Sequence, residues 1–284
     1  MKTNQRGVAV VLAMGVVALA AIAAAAMLAS LSVWSRHAEL TAEHVQAQAL
    51  VRAGVDWARA LLSDDRRMSS VDHLGEPWAM QLPPVPVDNG ELAGRIEDQQ
   101  GVFNLNNLVR SGAVSPPHLA QFHRLLAVLD LPDALAGALV AWLRPPEPAP
   151  ERPLVDAAEL ALVSGFDEGV RARLRPFVTA LPRFTAVNVN TAAPEVLAAV
   201  IEGLDLDAAR DLAASRGRAY FRDRADFLAQ LPAGAVAAGN DVATSSDFFQ
   251  ASVRVTIGGA QARGVALLAR ESSGWPAVVW RKYP

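Results

Sequence analysis

The chain has 284 residues, of which 52% are hydrophobic, and it carries a formal net charge of −3 with no cysteine. The length allows one or two folded domains beside a membrane segment. The charge argues against nucleic-acid binding as the main function, since phosphate recognition needs clustered lysine and arginine, and the missing cysteine excludes disulfides, thiolate metal sites and a cysteine nucleophile.

The first predicted element is an apolar helix long enough to cross a membrane. Lys2 and Arg6 precede Gly7, and no charged residue or histidine occurs from Val8 to Ser35. This run exceeds the ~20 residues that span a hydrocarbon core and the ~7–15 apolar residues of a secretory signal peptide. The leading cations predict a cytoplasmic N-terminus and export of everything that follows the helix.

The same helix is predicted to continue beyond the membrane with one apolar face. Apolar residues recur at three- and four-residue steps through residues 47–62, and no proline interrupts residues 8–62. At ~1.5 Å per residue a single helix of about 80 Å is expected. Its second half would pack on a globular domain, and the exposed face of Leu40–Leu62 is the candidate surface for partners.

The rest of the chain predicts one sheet interrupted by helices. The region from Ser115 to about Leu231 shows a helical pattern throughout, with about seven short helices. Strands are expected before and after it, at Glu91–Asp98, Phe248–Ile257, Gly264–Ala269 and Ala277–Tyr283. One strand before the helical block and a three-stranded antiparallel meander after it predict an α+β fold with an all-α domain inserted between strands.

Several segments resemble one family. The junction Arg6-Gly7-Val8 resembles the class III leader of type IV pilins and type II secretion pseudopilins, which is cut after glycine and whose new N-terminal residue is methylated. The run Asp98-Gln-Gln-Gly-Val-Phe-Asn-Leu-Asn106 is similar to the D-x-Q-G-x-F-N-L-N run of minor pseudopilin K of type II secretion. Asn188-Val-Asn-Thr-Ala and Glu159-Leu-x-Leu-Val-x-Gly are further landmarks of that family.

The fifth position after the expected cleavage site is Leu12, where most pilins and pseudopilins carry glutamate. In the family that glutamate is thought to meet the amino terminus of the subunit ahead. A subunit with none ahead has no amine to neutralise, and an unpaired buried carboxylate is costly. Lack of this glutamate marks the K type.

The resemblance implies a pilin-like long N-terminal helix packed on a small antiparallel sheet, with a large all-α domain between the strands. It divides the chain into a leader (1–7), a transmembrane or fibre-core half-helix (8–35), an amphipathic helix with the first part of the α/β domain (36–110), an inserted helical domain that is SAM-like or helix-hairpin-helix-like (111–240), and C-terminal strands (241–284). We expect a single-pass inner-membrane protein with a periplasmic C-terminal domain.

The function that the resemblance implies is a minor pseudopilin at the tip of the periplasmic pseudopilus. There it would initiate or cap assembly for protein export across the outer membrane. The implied partners are the I, J and H types of minor pseudopilin, the inner-membrane assembly platform and prepilin peptidase, which cuts after Gly7 so that Val8 becomes the methylated terminus. No nucleic-acid partner is expected.

No catalytic, cofactor or metal site is expected. Some family members bind calcium, but the acidic stretch that follows the Trp-Leu helix in the family is replaced by a proline-rich loop. Glu147 and Glu151 alone do not supply the six or more oxygens that calcium requires. The five histidines lack metal-ligand spacing, and phosphate-binding or nucleophile-elbow motifs are missing.

Two other functions compete with this interpretation. Asn188–Leu228 also resembles helix-hairpin-helix proteins of DNA uptake, but its hairpin candidate, Glu202-Gly203-Leu204-Asp205, has a single glycine and acids that would repel phosphate. A membrane-anchored periplasmic enzyme is the third possibility, and it lacks a catalytic constellation.

Overall fold

The computed structural model describes residues 5–81, 83–87, 89–146, 148, 150–270 and 274–283. It begins with one long helix, α1 (Gln5–Met68), of 64 residues. At ~1.5 Å per residue this helix is about 96 Å long. The predicted uninterrupted helix over residues 8–62 is confirmed, and it extends six residues further.

The remaining elements are short. Within the described residues three segments are 3₁₀-helices: Pro77–Ala79, Leu105–Leu108 and Ala157–Leu162. The other helices and strands, in chain order, are β1 (Val85–Val87), β2 (Gly90–Asp98), β3 (Phe103–Asn104), β4 (Val109–Arg110), β5 (Ala113–Val114), α2 (Pro116–Val128), α3 (Ala134–Leu143), α4 (Glu168–Leu174), β6 (Val178–Thr179), β7 (Val187–Asn188), α5 (Pro194–Val200), α6 (Leu206–Ser215), α7 (Arg224–Leu228), β8 (Val242–Ala243), β9 (Phe248–Ile257), β10 (Ala260–Ala269) and β11 (Ala277–Lys282).

The main sheet is five-stranded and antiparallel, in the order β1-β2-β9-β10-β11. The predicted meander of three C-terminal strands and its pairing with the earlier strand are confirmed. β10 begins four residues before the predicted Gly264, because Gly258 and Gly259 form a tight turn and pairing resumes at once, with Ala260 opposite Ile257. β1 was not predicted, since its proline breaks the strand pattern, and at the sheet edge a proline is tolerated.

The C-terminal half of α1, here called its upper half, packs across one face of this sheet; the N-terminal half is its lower half. Its buried residues recur at helical spacing and form a core with the facing side chains of β2, β9 and β10; on α1 they are Ala47, Val51, Val55, Ala58 and Leu62. Two glycines allow the close approach. A Cβ on Gly54 would lie 2.8 Å from Val253 Cγ1, and one on Gly264 would lie 2.4 Å from Val51 Cγ1.

Residues 99–247, here called the inserted region, lie between β2 and β9 and build a second and larger hydrophobic core. Between Ser115 and Leu231 the described residues contain six α-helices and the 3₁₀-helix Ala157–Leu162, close to the predicted seven. The prediction that this stretch is helical throughout is wrong at β6 and β7. They pair in parallel with β3 and β8, and two-residue strands carry no periodicity that a sequence pattern could reveal.

Three of the described α-helices begin at an aspartate whose side chain caps them. The Asp167 carboxylate accepts a hydrogen bond from the Val170 amide, Asp205 from Ala208 and Asp223 from Asp226. Asp205, the last residue of the hairpin considered for DNA binding, is therefore a helix cap.

Candidate functional site

The lower half of α1 is an apolar surface with no other part of the described chain packed against it. All side chains from residue 7 to residue 42 are exposed. An 18-residue window of the helix has a mean hydropathy of 2.7 and no buried residue, so α1 is long and apolar enough to cross a membrane. Each Å² of apolar surface left in water costs about 25 cal/mol. Lipid or another protein must therefore cover this half of the helix.

The predicted site residues lie at the far end of this surface. Gly7, Val8 and Leu12 are all in regular helix; Lys2 of the expected leader lies outside the described residues. Val8 and Leu12 are 61% and 63% exposed and, four residues apart, share one helix face. A Cβ on Gly7 would meet no atom within 4 Å. Packing within the chain therefore explains neither this glycine nor Leu12.

A second exposed face of α1 begins at the end of the apolar run and continues beyond it. It consists of Trp34, Ala38, Ala42, Val45 and Ala49, which we call the apolar stripe. All five are exposed, with Trp34 at 72% and Val45 at 61%. Their three- and four-residue steps place them together on the side of α1 turned away from the sheet. This surface begins lower on the helix than the predicted face of Leu40–Leu62.

A buried polar network, here called the polar seam, joins the sheet to the inserted region. Its members are Asp65, Asp72, Asp98, Asn188, Thr191, Ser246 and Arg270.

Asp98 is the acceptor at the centre of the polar seam. Its Oδ2 accepts hydrogen bonds from Asn188 Nδ2 (2.9 Å), Thr191 Oγ1 (2.6 Å) and Ser246 Oγ (2.7 Å), and its Oδ1 accepts one from the Gln100 amide (2.7 Å). Burial raises the pKa of Asp98 to about 6, against the hydrogen bonds from Thr191, Ser246 and the Gln100 amide, which lower it. Asn188 belongs to a family landmark segment, and its role is to hold this carboxylate.

Arg270 completes the polar seam on the side of α1. Its guanidinium donates to Asp65 Oδ2 (2.7 Å) and Asp72 Oδ1 (2.5 Å), and it lies 4.6 Å from the centre of the Phe249 ring. The side chain is 1% exposed. Burial and the neighbouring Glu76 charge raise the pKa of Asp65 to about 6, although Arg270 acts in the opposite direction.

Three acids of this region are close enough to suggest a metal site. Single oxygens of Asp65, Asp72 and Glu76 lie within 4.8 Å of one another. Arg270 already pairs with the two aspartates, and Glu76 accepts from Trp78 Nε1 (2.7 Å). These oxygens are therefore committed to protein donors, and the acidic group holds a guanidinium. Of the two acids considered for calcium, Glu147 lies outside the described residues and Glu151 is exposed.

A Ser–His–Asp arrangement inside the inserted region has the residue types of a hydrolytic triad. Ser115 Oγ lies 2.6 Å from His118 Nδ1, and His118 Nε2 lies 3.6 Å from Asp241 Oδ1. Burial raises the pKa of Asp241, but His118 and a hydrogen bond from Gln121 outweigh it and hold the pKa below its usual range. Because Asp241 directly precedes β8, the group fastens α2 to the returning chain. Ser115 lies only three residues before His118. Asp241 is distant in the chain, and no local spacing reveals it as a partner.

The hairpin considered for DNA binding is closed by the chain itself. Glu202 and Val236 exchange two backbone hydrogen bonds, of 3.0 and 2.8 Å. A Cβ on Gly203 would lie 2.7 Å from the Gly234 carbonyl oxygen. A phosphate-binding hairpin needs its amides free, so this geometry gives no support to DNA uptake.

These features define a class: a membrane-anchored, pilin-like subunit whose sheet carries a large helical insertion. Models of the family "Type II secretion system (T2SS), protein K" match residues 101–183 and 187–246. Type II secretion system protein K of Pseudomonas aeruginosa is 35% identical over 96% of this chain and 91% of its own length, and that of Klebsiella pneumoniae is 31% identical over 100% and 98%. The chain belongs to the type II secretion system protein K family and is a minor pseudopilin.

A solved structure has the same fold. A chain in the crystal structure of the GspK–GspI–GspJ complex from enterotoxigenic Escherichia coli superposes with a TM-score of 0.73 at 23% identity, covering 87% of this chain and 99% of that one. The predicted α+β fold with its long N-terminal helix is thereby confirmed. The family that the sequence motifs resemble is confirmed by the family models and the relatives.

The polar seam predicts a large effect for one substitution. Asn188→Ala removes the donor shared by Asp98, the Asp72 carbonyl and Ser246, and buried groups left without partners cost about 1–3 kcal/mol each. We expect the free energy of unfolding to fall by about 2–4 kcal/mol in urea titrations of the full chain in detergent micelles. Asn240→Ala, at an exposed position, should change it by less than about 0.5 kcal/mol. Equal effects of the two substitutions would contradict the role of the polar seam.

The raised pKa values predict a pH dependence. Asp65 and Asp98 titrate at about 6 in the folded chain instead of 3.8, so between these values the folded state binds more protons than the unfolded state. The free energy of unfolding should therefore fall as pH rises from about 4 to about 6. Asp98→Asn should reduce that slope in urea titrations at intervals across the window, whereas Asp64→Asn, on the exposed side of α1, should preserve it. An unchanged slope in Asp98→Asn would overturn this assignment.

Proposed function

We propose that this minor pseudopilin forms the tip of the periplasmic pseudopilus and initiates or caps its assembly for protein export across the outer membrane. The observation that carries the proposal is Leu12. In a fibre core the side chain at this position is surrounded by apolar helices, where a carboxylate needs a positive partner. Leucine needs none, so the subunit tolerates having no neighbour ahead of it.

The shape of the head, which consists of the main sheet, the upper half of α1 and the inserted region, supports a terminal position in the fibre. The inserted region reaches around to the face of the sheet opposite α1, where Leu181 packs on Phe248 and Leu267. The pilin-like body is therefore widened on the side that a second copy would have to pass. A subunit of this width fits at the end of a fibre better than in repeated layers along its shaft.

The membrane topology follows from the N-terminal segment. We place the residues before the apolar run in the cytoplasm, since Lys2 and Arg6 are cations at its leading end. The head is then placed in the periplasm. Prepilin peptidase would cut between Gly7 and Val8 at the cytoplasmic side of the inner membrane, and Val8 would then be methylated. The position of Gly7 between the cation Arg6 and the start of the apolar run at Val8 supports this assignment.

The apolar stripe is the surface that we assign to helix packing with other minor pseudopilins. The related crystal structure contains GspI and GspJ together with GspK, which supports I- and J-type partners for this chain; the H type and the inner-membrane assembly platform complete the proposed set. Burial of Trp34 and Val45 against a neighbouring helix would remove two large exposed apolar side chains of α1 from water. The proposed role is structural, with no catalytic step.

Processing at Gly7 predicts a defined N-terminus. In cells with prepilin peptidase, mass spectrometry of the extracted chain should find methylated Val8 as the first residue. Gly7→Leu should retain Met1 and abolish exoprotein secretion when it replaces the chromosomal copy. Gly15→Leu is the matched control, because a Cβ at either glycine meets no atom within 4 Å; it should be processed normally. An intact Met1 in the unmodified chain would indicate a plain membrane anchor.

The tip position predicts a low and constant copy number. Quantitative mass spectrometry of sheared pseudopili should give one or very few copies per fibre, independent of fibre length, and immunogold label should lie at fibre ends. Leu12→Glu should reduce secretion several-fold, since a carboxylate there would lack a partner, while Leu12→Met should not. Label along the shaft would contradict the proposal, and a deletion that impairs DNA uptake instead of secretion would favour the alternative function.

A further inference from the structure

The face of the main sheet opposite α1, here called the outer face, is open over its lower half. Side chains point to alternate sides of each strand, and the register places Arg95, Arg254 and Arg263 on this face. All three are exposed. The upper half of the same face is covered by the inserted region, whose Leu181 packs on Phe248 and Leu267.

Two of these arginines lie directly opposite each other. Arg254 on β9 pairs with Arg263 on β10, and like charges at opposed positions of an antiparallel pair destabilise the sheet. Among the residues that the structure describes, no ion pair is formed by either one. Ala93 lies opposite Arg254 on the next strand. The exposed Glu91 lies one row away on the same strand and face, opposite Thr256, and among the described residues it forms no ion pair with either arginine.

The neighbouring row adds two further cations. It runs Arg95, Ser252, Val265 and Lys282 across β2, β9, β10 and β11. Arg95 pairs with Glu97 at 3.0 Å and Lys282 with Asp156 at 2.6 Å. The end cations are therefore neutralised within the chain, and the uncompensated charge is concentrated on Arg254 and Arg263.

The inserted region bounds this patch from above. Asp156, which contacts Lys282, is the N-cap of the 3₁₀-helix Ala157–Leu162, so the inserted region descends to the level of the Arg95 row. Below it the open face carries Ser252 on one side of the arginines and the row Glu91, Thr256 and Gln261 on the other. The two arginines therefore outnumber the one carboxylate that lies beside them. The result is a polar, cationic recess with one closed side.

The height of the recess above the membrane decides between two kinds of anionic partner, a lipid headgroup and an acidic polypeptide. Gly264, next to Arg263, lies against Val51 of α1. From Ser35, the end of the uncharged run, to Val51 the helix rises about 24 Å at ~1.5 Å per residue. The headgroup layer adds only about 6 Å beyond each side of the hydrocarbon core. Lipid headgroups are therefore out of reach of both side chains when α1 stands across the membrane.

We propose that the recess centred on Arg254 and Arg263 docks an acidic segment of a partner polypeptide. Carboxylates placed between the two guanidiniums would relieve their repulsion and accept charge-assisted hydrogen bonds from both. The flanking hydroxyl and amide groups would satisfy the polar backbone of an extended segment. This contact uses the side of the head opposite the apolar stripe. The docking proposal does not depend on whether the subunit lies at the tip or along the shaft of the fibre.

The charge argument is tested with a defined probe on the full chain in detergent micelles. The probe is a fluorescent 12-residue peptide rich in glutamate, titrated at 50 and 300 mM NaCl. We expect saturable binding that Arg254→Glu/Arg263→Glu weakens at least tenfold and that higher salt weakens as well. The control Arg175→Glu/Arg218→Glu makes the same change in net charge at two exposed arginines of the inserted region and should leave the affinity within twofold. An equal loss of peptide affinity in both double variants would show that binding depends only on net charge, and it would overturn the proposal.

A milder pair of substitutions separates binding from folding. Arg254→Gln/Arg263→Gln removes the repulsion between opposed cations, so the midpoint of urea unfolding should rise or stay unchanged while peptide affinity falls. If the midpoint falls instead, the two arginines serve the fold and the docking proposal is wrong.

The partner is located by cross-linking in cells. Because the chain has no cysteine, Ser252→Cys provides a unique attachment point in the recess for a thiol-linked photo-cross-linker. We expect an adduct whose mapped peptide is acidic, which disappears with Arg254→Glu/Arg263→Glu and persists with Arg175→Glu/Arg218→Glu. Adducts to lipid, or to segments without acidic residues, would overturn the proposal. Tighter binding of the full chain to vesicles of anionic than of neutral lipid that depends on Arg254 and Arg263 would assign the recess to the membrane instead.

Discussion

The architecture depends on pairing two strands of the main sheet that are far apart in the chain. β2 and β9 are paired neighbours, with Asp98 opposite Phe249, although the whole inserted region lies between them in the chain. The chain must therefore leave and return at the same end of the sheet. The polar seam sits at that point, where Asn188 and Thr191 from the inserted region converge on Asp98. The shared hydrogen bonds of the polar seam therefore fix both the end of β2, where the chain leaves the sheet, and the approach to β9, where it returns.

The chemistry of the polar seam explains why it tolerates buried charge. Three carboxylates and one guanidinium in a nearly dry site would be costly if any were unpaired. Here Arg270 bridges Asp65 and Asp72, and Asp98 is surrounded by neutral donors. Directional bonds accept one arrangement of strands and loops, whereas apolar packing tolerates several. The polar seam thus adds specificity to a junction at which two separate hydrophobic cores meet.

The sequence was most informative where a pattern repeats over many residues. The length of α1, its buried face and the strands from Phe248 onward follow from apolar spacing. The helical pattern could not reveal β6 and β7, since two paired residues have no period. Of the candidate site, Gly7, Val8 and Leu12 were identified because position along one helix is a sequence property. Arg270 and the opposed arginines were not, because their meaning depends on strand register and on contacts with residues as distant as Asp65.

The two candidate surfaces differ in chemistry and lie on opposite sides of the sheet. The apolar stripe presents Trp34 and Val45 to a neighbour that can exclude water, which suits helix packing within a fibre. The recess presents guanidiniums, which discriminate by charge and hydrogen-bond geometry and act over longer distances at low salt. Because the sheet separates them, occupation of one surface does not obstruct the other. A subunit built this way can be held in a fibre by its helix while its outer face remains available to an acidic partner, so assembly and recognition need not compete for the same residues.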